Sequence, residues 1–529
     1  MAELETTKHS PARDPSGRDR FARNVAFAWG GYLINVASGF IIPRLISDRL
    51  GQTTLGIWDF SWSIVSYFGL VQLGLGSSVN RYVAKYRAAG DTISLNRSVS
   101  TIALFQKLVG WLAFVIAALI AWLFLPMFGA KLGDGLETSR WVILFLGAEI
   151  ALGIMLTVYG SVITGCHRWD MHNSVSAISY GLIAVAMIIV LICGGGLPAL
   201  ALSHCVFYVG GEVIRWRLAH RVCPELIIKT NLASWSVFRE QARYSAKSLI
   251  PRIAALVSNQ ALSILVTMFL GPASLAIFSR PKALAGVLQT LAAKFGFILV
   301  PTASSLHARD DRAGLKMTLK QTPAYICALV LPVILALAIL GSYVIRLWMG
   351  EKYVYPGLMP ILSVGALAPL VQEPVWSILS GMNVHGRIAL AKLAAAILSA
   401  LLLAAGLGLM KWGLVGAAAC FTLPQIFVDG LLTPYYACRR LGLSLSEYYW
   451  HTFLKPFLCL IPYAGGLCAL RWLLQDAPGW AIVFAIAGSA GSAYFYWKLI
   501  VPRQVQLKVE TRLLSRLLKR EARVSTSKI

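Results

Sequence analysis

Residues 24–46 read NVAFAWGGYLINVASGFIIPRLI, 23 positions that hold a single charge, Arg44. As a helix rising about 1.5 Å per residue, such a run reaches across the roughly 30 Å of a bilayer's hydrocarbon. Working outward, runs of the same character lie near 54–78, 100–126, 141–165, 172–193, 196–218, 247–270, 275–303, 323–348, 355–381, 387–411, 413–436, 451–475 and 478–501, about fourteen in all. Glycine keeps neighbours from fusing: Gly194, Gly195 and Gly196 part the fifth run from the sixth, and Gly413 opens the twelfth.

The composition of the 529-residue chain agrees, at 57% hydrophobic and 13% charged, with a mean hydropathy of +0.68. A soluble domain carries roughly a quarter charged residues, so this chain has too little polar surface to cover a water-soluble globule. Collagen-like, disordered and disulfide-stapled classes fall as well, given 45 glycines, 22 prolines and 9 cysteines. The class left is an all-α polytopic membrane protein. The cysteines are dispersed, mostly within apolar runs and without a CxxC, and read as small packed apolar residues.

A net charge of +25 would suggest nucleic acid in a soluble protein. Here the basic residues sit in short loops and a tail, and no nucleic-acid partner is expected. Lys and Arg concentrate on alternate loops, on the side shared with both termini. That is the arrangement of an even number of crossings with both ends cytoplasmic. The cytoplasmic loops expected near 79–99, 219–246 and 304–322 are longer and basic. The first 23 residues are polar and basic, and no cleavable signal is read from them. Connections on the trans side are short, the longest being near 127–140, which leaves no room there for the domain a membrane glycosyltransferase or polymerase usually needs. The chain has no GxxxxGK[ST], no HExxH and no histidines at metal spacing. No catalytic site, cofactor or metal is expected.

An internal duplication is legible. LGQTTLGI (50–57) and LGPASLAI (270–277) stand 220 positions apart, as do Ser38 and Ser258. Ser161 and Gly165 meet Ser377 and Gly381 at an offset of 216, and Gly196, Leu197 and Ala201 meet Gly413, Leu414 and Ala418 at 217. The near-constant offset predicts two pseudo-symmetric six-helix lobes in one orientation, 24–218 and 247–436, joined by a cytoplasmic linker at 219–246. Such paired bundles are common in carriers. A helix pair at 451–501 lies outside the repeat. A basic segment (1–23) precedes the lobes and a basic tail (502–529) ends the chain. In the tail Val505, Val509, Leu513, Leu514, Leu517 and Leu518 recur at helical spacing among Arg512, Arg516, Lys519 and Arg520, the pattern of a helix lying on an anionic leaflet.

Ionisable residues inside spans cost a few kcal/mol at mid-membrane and generally face protein or a water-filled cavity. The basic ones are Arg44 in the first span, Arg252 in the seventh, and Arg280, Lys282 and Lys294 in the eighth; the acidic ones are Asp59, Glu149, Glu373 and Asp429. Arg44 and Arg252 lie near span ends, where snorkelling to headgroups is the alternative. Arg280 and Lys282 flank Pro281, one to two turns inside their span. Because the repeat relates spans one, two, seven and eight, Arg44, Asp59, Arg280 and Lys282 are expected to converge between the lobes, with Lys294 deeper toward the cytoplasm. Such a cationic pocket suits a phosphate or pyrophosphate; a structural ion pair is the alternative role for Asp59. Glu149 and Glu373 are candidates for coupling to H+ or Na+, or are helix-bonding carboxyls.

The stretches RNVAFAWGGYLINVASGFIIPRLISDRLGQTTLGIWDF (23–60) and YFGLVQLGLGSSVNRYVAKYRAAGD (67–91) resemble the opening of bacterial polysaccharide or O-antigen flippases of the Wzx type. These belong to the multidrug/oligosaccharidyl-lipid/polysaccharide (MOP) flippase superfamily. LGPASLAIFSR (270–280) and WSILSGMNVHGR (376–387) look like the second-lobe counterparts. The resemblance implies fourteen helices, alternating access and a cationic central cavity lined by helices one, two, seven and eight. It implies a polyprenyl-diphosphate-linked glycan as cargo, carried across the bacterial inner membrane with polysaccharide assembly proteins and membrane lipids as partners. It carries over to Arg44, Asp59, Arg252, Arg280, Lys282 and Lys294 as cavity candidates. A cation-coupled multidrug exporter of the same superfamily is the alternative. Spans thirteen and fourteen and the cations of span eight count against it.

Overall fold

In hydrocarbon a backbone can bond only to itself, so apolar runs of spanning length close into helices. The structure, a computed structural model, describes residues 21–72, 75–246, 249–474 and 478–499 together with Arg503 and Gln506; among these it contains helices and turns and no strand. In order, the helices are α1 (Phe21–Leu50), α2 (Gln52–Ser66), α3 (Leu75–Ala89), α4 (Thr92–Leu132), α5 (Gly135–Gly165), α6 (Trp169–Ile192), α7 (Leu197–Val222), α8 (Trp235–Ala246), α9 (Leu249–Leu270), α10 (Pro272–Ala308), α11 (Arg312–Met349), α12 (Leu358–Gly381), α13 (Gly386–Gly408), α14 (Leu414–Leu441), α15 (Leu445–Cys459), α16 (Ile461–Leu473) and α17 (Pro478–Leu499). Among the described residues eleven helices are long and apolar enough to cross a membrane, and twelve if α15 and α16, which meet at a 43° bend, form one span. The expected basic segment 1–23 and amphipathic tail 502–529 lie outside the described residues, apart from residues 21–23, Arg503 and Gln506.

Two expectations are corrected. The run 54–78 is not one helix: α2 ends at Ser66, a 3-10 turn covers Tyr67–Gln72, and α3 starts at Leu75. Glycine punctuates YFGLVQLGLG, and each glycine costs a helix interior about 1 kcal/mol. Nor are 79–99 and 304–322 open loops. Helices run through both, interrupted only by turns at Gly90-Asp91 and at Arg309 to Asp311. In each turn an aspartate caps the next helix, Asp91 Oδ1 accepting from Ser94 N at 2.9 Å and Asp311 Oδ1 from Gly314 N at 2.8 Å. These aspartates stand 220 positions apart.

That match is one of several. Gly51 (φ 94°) and Gly271 (φ 87°) both turn the chain through left-handed backbone that side chains resist, and their carbonyls accept from Leu55 and Leu275 at 3.2 and 3.3 Å. His167 and Asn383, 216 apart, share φ 58° and close the same turn, with Arg168 N donating to Ile163 O and Val384 N to Leu379 O.

By its contacts the chain forms two compact units. One takes residues 1–49, 67–127 and 136–249; the other takes 50–66, 128–135 and 250–529. Each contains the same helix crossing. In the first unit α3 passes α5 so closely that a Cβ on Gly76 would lie 3.1 Å from Ser161 Oγ, and one on Gly165 would lie 2.9 Å from Asn80 O and 2.8 Å from Val83 Cβ. In the second unit α10 passes α12. There a Cβ on Gly296 would lie 2.6 Å from Ser377 Oγ, and one on Gly381 would lie 2.5 Å from Val300 O and 2.8 Å from Ala303 Cβ. Every member of the second set is the repeat counterpart of one in the first. Small residues that let backbones touch are the means by which helices pack where lipid removes the hydrophobic drive. The apolar clusters beside the crossings correspond too: Val83, Leu95, Val99, Val162, Ile163 and Cys166 in one, Ala303, Leu315, Leu319, Ile378, Leu379 and Met382 in the other.

Candidate functional site

In the second unit α2 lies against the start of α10. A Cβ on Gly56 would fall 1.8 Å from Pro272 O, and Gln52 Nε2 donates to Ala273 O at 3.2 Å. This contact brings Asp59, one turn past Gly56, to Arg280, and the two form an ion pair. Arg280 is almost wholly buried and Asp59 is 18% exposed. Asp59 thus takes the ion-pair role that was its alternative in the sequence.

Lys282, two residues on, is held differently. Its Nζ donates to Asn259 O on α9 at 3.0 Å and lies 5.3 Å from the centre of the Phe421 ring on α14. Among the described residues no carboxylate forms an ion pair with it. It lines a cavity of about 90 Å³ with Asn259, Gln289, Phe421, Thr422 and Gln425. Gln425 Nε2 donates to Ser258 Oγ at 2.8 Å, which orients the amide at the cavity wall. The space suits a few waters, each taking about 30 Å³, or one small anionic group, and is too small for a sugar chain.

A second buried cluster lies on α12, α13 and α14. Lys392 Nζ is 2.8 Å from Asp429 Oδ1 and 5.1 Å from the centre of the Trp376 ring. Thr433 Oγ1 approaches the same carboxylate oxygen at 3.5 Å, and Glu373 lies within electrostatic reach of Lys392 and Asp429. Asp429 sits in a π-turn, Val428–Leu432, a widening of the helix often found where a side chain must be re-aimed. The sequence reading missed Lys392, although it is the one charge between residues 388 and 410.

The first unit holds its own buried charges. Glu149 on α5 is hydrogen-bonded to His204 Nδ1 on α7 at 2.7 Å, so that carboxyl does bond between helices. Arg215 pairs with Glu212, one turn back on α7, and donates to Ser176 Oγ on α6 at 2.7 Å. The Arg215 side chain is 9% exposed. Arg44, near the end of α1, pairs with Asp48 at 2.7 Å, and both side chains are roughly half exposed. Lys294 lies three turns past Lys282 on α10 and is half-buried. Arg252 falls on α9, with its side chain outside the described residues.

Residues 89–355 match the family described as polysaccharide biosynthesis protein. The chain is 21% identical over 385 residues to the lipid II flippase MurJ of Bacillus subtilis (strain 168), a match spanning 66% of this chain and 68% of that protein. Among solved structures it is similar to lipid II flippase MurJ in an inward closed conformation, with a TM-score of 0.66 and 13% identity over 90% of this chain and 100% of that one. It is also similar to an inward-facing multidrug resistance MATE family transporter of the MOP superfamily, with a TM-score of 0.61 and 13% identity over 80% and 99% of the two chains. The fold is therefore the one shared by MOP-superfamily transporters, and the chain belongs to the polysaccharide biosynthesis protein family.

Proposed function

We propose that this protein is a flippase that carries a polyprenyl-diphosphate-linked oligosaccharide from the cytoplasmic to the outer leaflet of a bacterial inner membrane, both termini being cytoplasmic. The observation that carries the reading is Lys282, a cation inside a span that bonds to a carbonyl, lies over a ring and feels Asp59 at a distance without an ion pair, facing a small cavity of mixed polar and apolar lining. A cation in hydrocarbon that lacks a carboxylate is costly, and a diphosphate supplies the missing charge through charge-assisted hydrogen bonds. Arg280 is already neutralised by Asp59 and joins α10 to α2. The family match and the likeness to lipid II flippase MurJ support a lipid-linked cargo.

Transport of this kind needs no covalent step. The diphosphate is gripped on one side, the polyprenyl tail stays in lipid, and reorientation of the bundles exposes the headgroup to the other side. Glu149, bonded to His204, and Glu373, beside Lys392 and Asp429, are the groups through which H+ or Na+ would couple. Polysaccharide assembly proteins would supply and take up the cargo.

The second reading, a cation-coupled drug exporter, is favoured by that same acidic cluster and by the likeness to a MATE transporter. The test is Lys282→Gln in the full-length protein reconstituted with a fluorescent polyprenyl-diphosphate sugar, beside a drug-resistance assay in cells. Loss of at least about tenfold in flipping, with resistance unchanged, is expected. Undiminished flipping, or resistance lost while flipping persists, overturns the proposal.

A further inference from the structure

Another cavity in the second unit lies away from Lys282. At the end of the bundle where α11 and α16 finish and α12 begins, a space of about 580 Å³ is lined by Ser342, Tyr343, Arg346, Tyr355, Arg471 and Trp472 among others. Its volume falls in the range of small-molecule sites. Tyr343 Oη donates to Arg471 O at 2.9 Å, and Arg471 Nη1 donates to Ile339 O at 3.1 Å, so α11 and α16 are tied together at the cavity wall.

Its charge is unbalanced. Arg346 pairs with both carboxylate oxygens of Glu351, Nε at 2.5 Å and Nη2 at 3.1 Å, and lies 5.8 Å from the centre of the Tyr343 ring, while keeping two-fifths of its side chain exposed. Arg471 has no ion-pair partner among the described residues. Among the described residues two guanidinium groups thus face one carboxylate. Tyr355 and Trp472 are exposed at the same level, and tyrosine and tryptophan gather at the depth of lipid headgroups. Guanidinium forks match phosphate oxygens in pairs.

We infer that this cavity is a binding site for the phosphate headgroup of a membrane lipid, held between Arg346 and Arg471 in the leaflet at this end of the bundle. It is independent of the role proposed for Lys282. Two lipid classes offer the chemistry, an anionic phospholipid and a polyprenyl diphosphate, and the experiment separates them.

The experiment is native mass spectrometry of the detergent-purified full chain with added phosphatidylglycerol, phosphatidylcholine, farnesyl diphosphate or inorganic phosphate. Wild type is expected to retain phosphatidylglycerol, farnesyl diphosphate or both at least about fivefold over phosphatidylcholine, and the better-retained lipid names the occupant. Arg346→Gln with Arg471→Gln should bring the ratio near one. Ser342→Trp, which narrows the space and keeps both arginines, should lower the ratio too, while Arg471→Lys should preserve most of the preference. Equal retention of phosphatidylcholine, a preference that survives both the double variant and Ser342→Trp, or displacement of lipid by inorganic phosphate at equal concentration overturns the inference.

Discussion

The two halves of the chain agree in backbone and differ in charge. Gly165 meets the carbonyl of Asn80 as Gly381 meets that of Val300, and Asp91 caps its helix as Asp311 does. Yet Arg280 and Lys282 occupy the repeat positions of Phe60 and Trp62. On α7 and α14 the acid persists and the cation moves. Glu212 and Asp429 are counterparts, 217 apart, but Glu212 takes its cation from its own helix at Arg215, whereas Asp429 takes it from Lys392, the counterpart of Ser176 on the preceding helix. The shared features are those that let helices cross and turn. Charge has diverged, and the second half places Lys282, which has no ion pair among the described residues, inside a span.

The sharpest way to break this comparison is Lys392→Met. It leaves Asp429, 5% exposed, without its cation, and removing one partner of a buried pair costs about 3–5 kcal/mol. Thermal unfolding in detergent should show a large drop that Asp429→Asn, added to it, mostly reverses. If Lys392→Met unfolds like wild type, the moved cation has no structural role. Next come the crossings. Alanine at Gly381 or Gly165 drives a Cβ against backbone oxygen, at 2.5 and 2.9 Å, and overpacking of this kind costs about 1–3 kcal/mol. Gly76→Ala meets only Ser161 Oγ, at 3.1 Å, and should cost less. The same loss at 165 and 381 confirms an equivalent crossing; a loss at one alone breaks the equivalence. Smaller on stability is Lys282→Gln, which removes a charge without stranding an acid and should leave the melting temperature unchanged or raised. Arg280→Gln strands Asp59 and should lower it.

How much of this the sequence revealed depends on what signal each feature leaves. Spans such as 172–193 became α6 nearly to the residue, because twenty apolar positions admit no other backbone in lipid. The duplication showed in Gly165 and Gly381 because a backbone approach tolerates only glycine there. Where polarity was taken to mean loop, at 79–99 and 304–322, helices continue past the apolar run, since leaving hydrocarbon does not end a helix until a residue such as Asp91 or Asp311 caps the next one. Among the site residues, position in a span marked Arg280 and Lys282 but not their partners: that Asp59 would reach Arg280 depends on the closeness of α2 to Pro272, which Gly56 permits without announcing. Lys392 left a plain signal, a lone charge in an apolar run, and Glu212 left only a repeat position.

The smallest expected effect belongs to a clasp found in the first half alone. Arg87 on α3 donates to Glu225 Oε1 at 2.9 Å, while Asn96 Nδ2 donates to Glu225 O and Asn96 Oδ1 accepts from Ile227 N, so the segment after α7 is tied to α3 and α4. Position 442, the repeat counterpart of Glu225, is a glycine. Burial pushes the Glu225 carboxyl up, but its own backbone hydrogen bond and Arg87 outweigh this and hold it below the usual glutamate value. A carboxylate so lowered contributes stability that is present above its unfolded value, about 4.3, and that fades as pH falls through the lower folded one. Amide-exchange protection of residues 224–230, corrected for the intrinsic pH dependence, should therefore stay level from pH 7 to about 4.3 and weaken only below. In Arg87→Gln the folded value lies closer to the unfolded one, so the loss below about 4.3 should be smaller than in wild type. The step should be small, because a partly exposed pair is worth at most about 1 kcal/mol and the Asn96 bonds do not titrate. Protection that does not change with pH in either protein would leave Asn96 as the whole clasp, and the Arg87–Glu225 pair would then not count among the charges that distinguish the two halves.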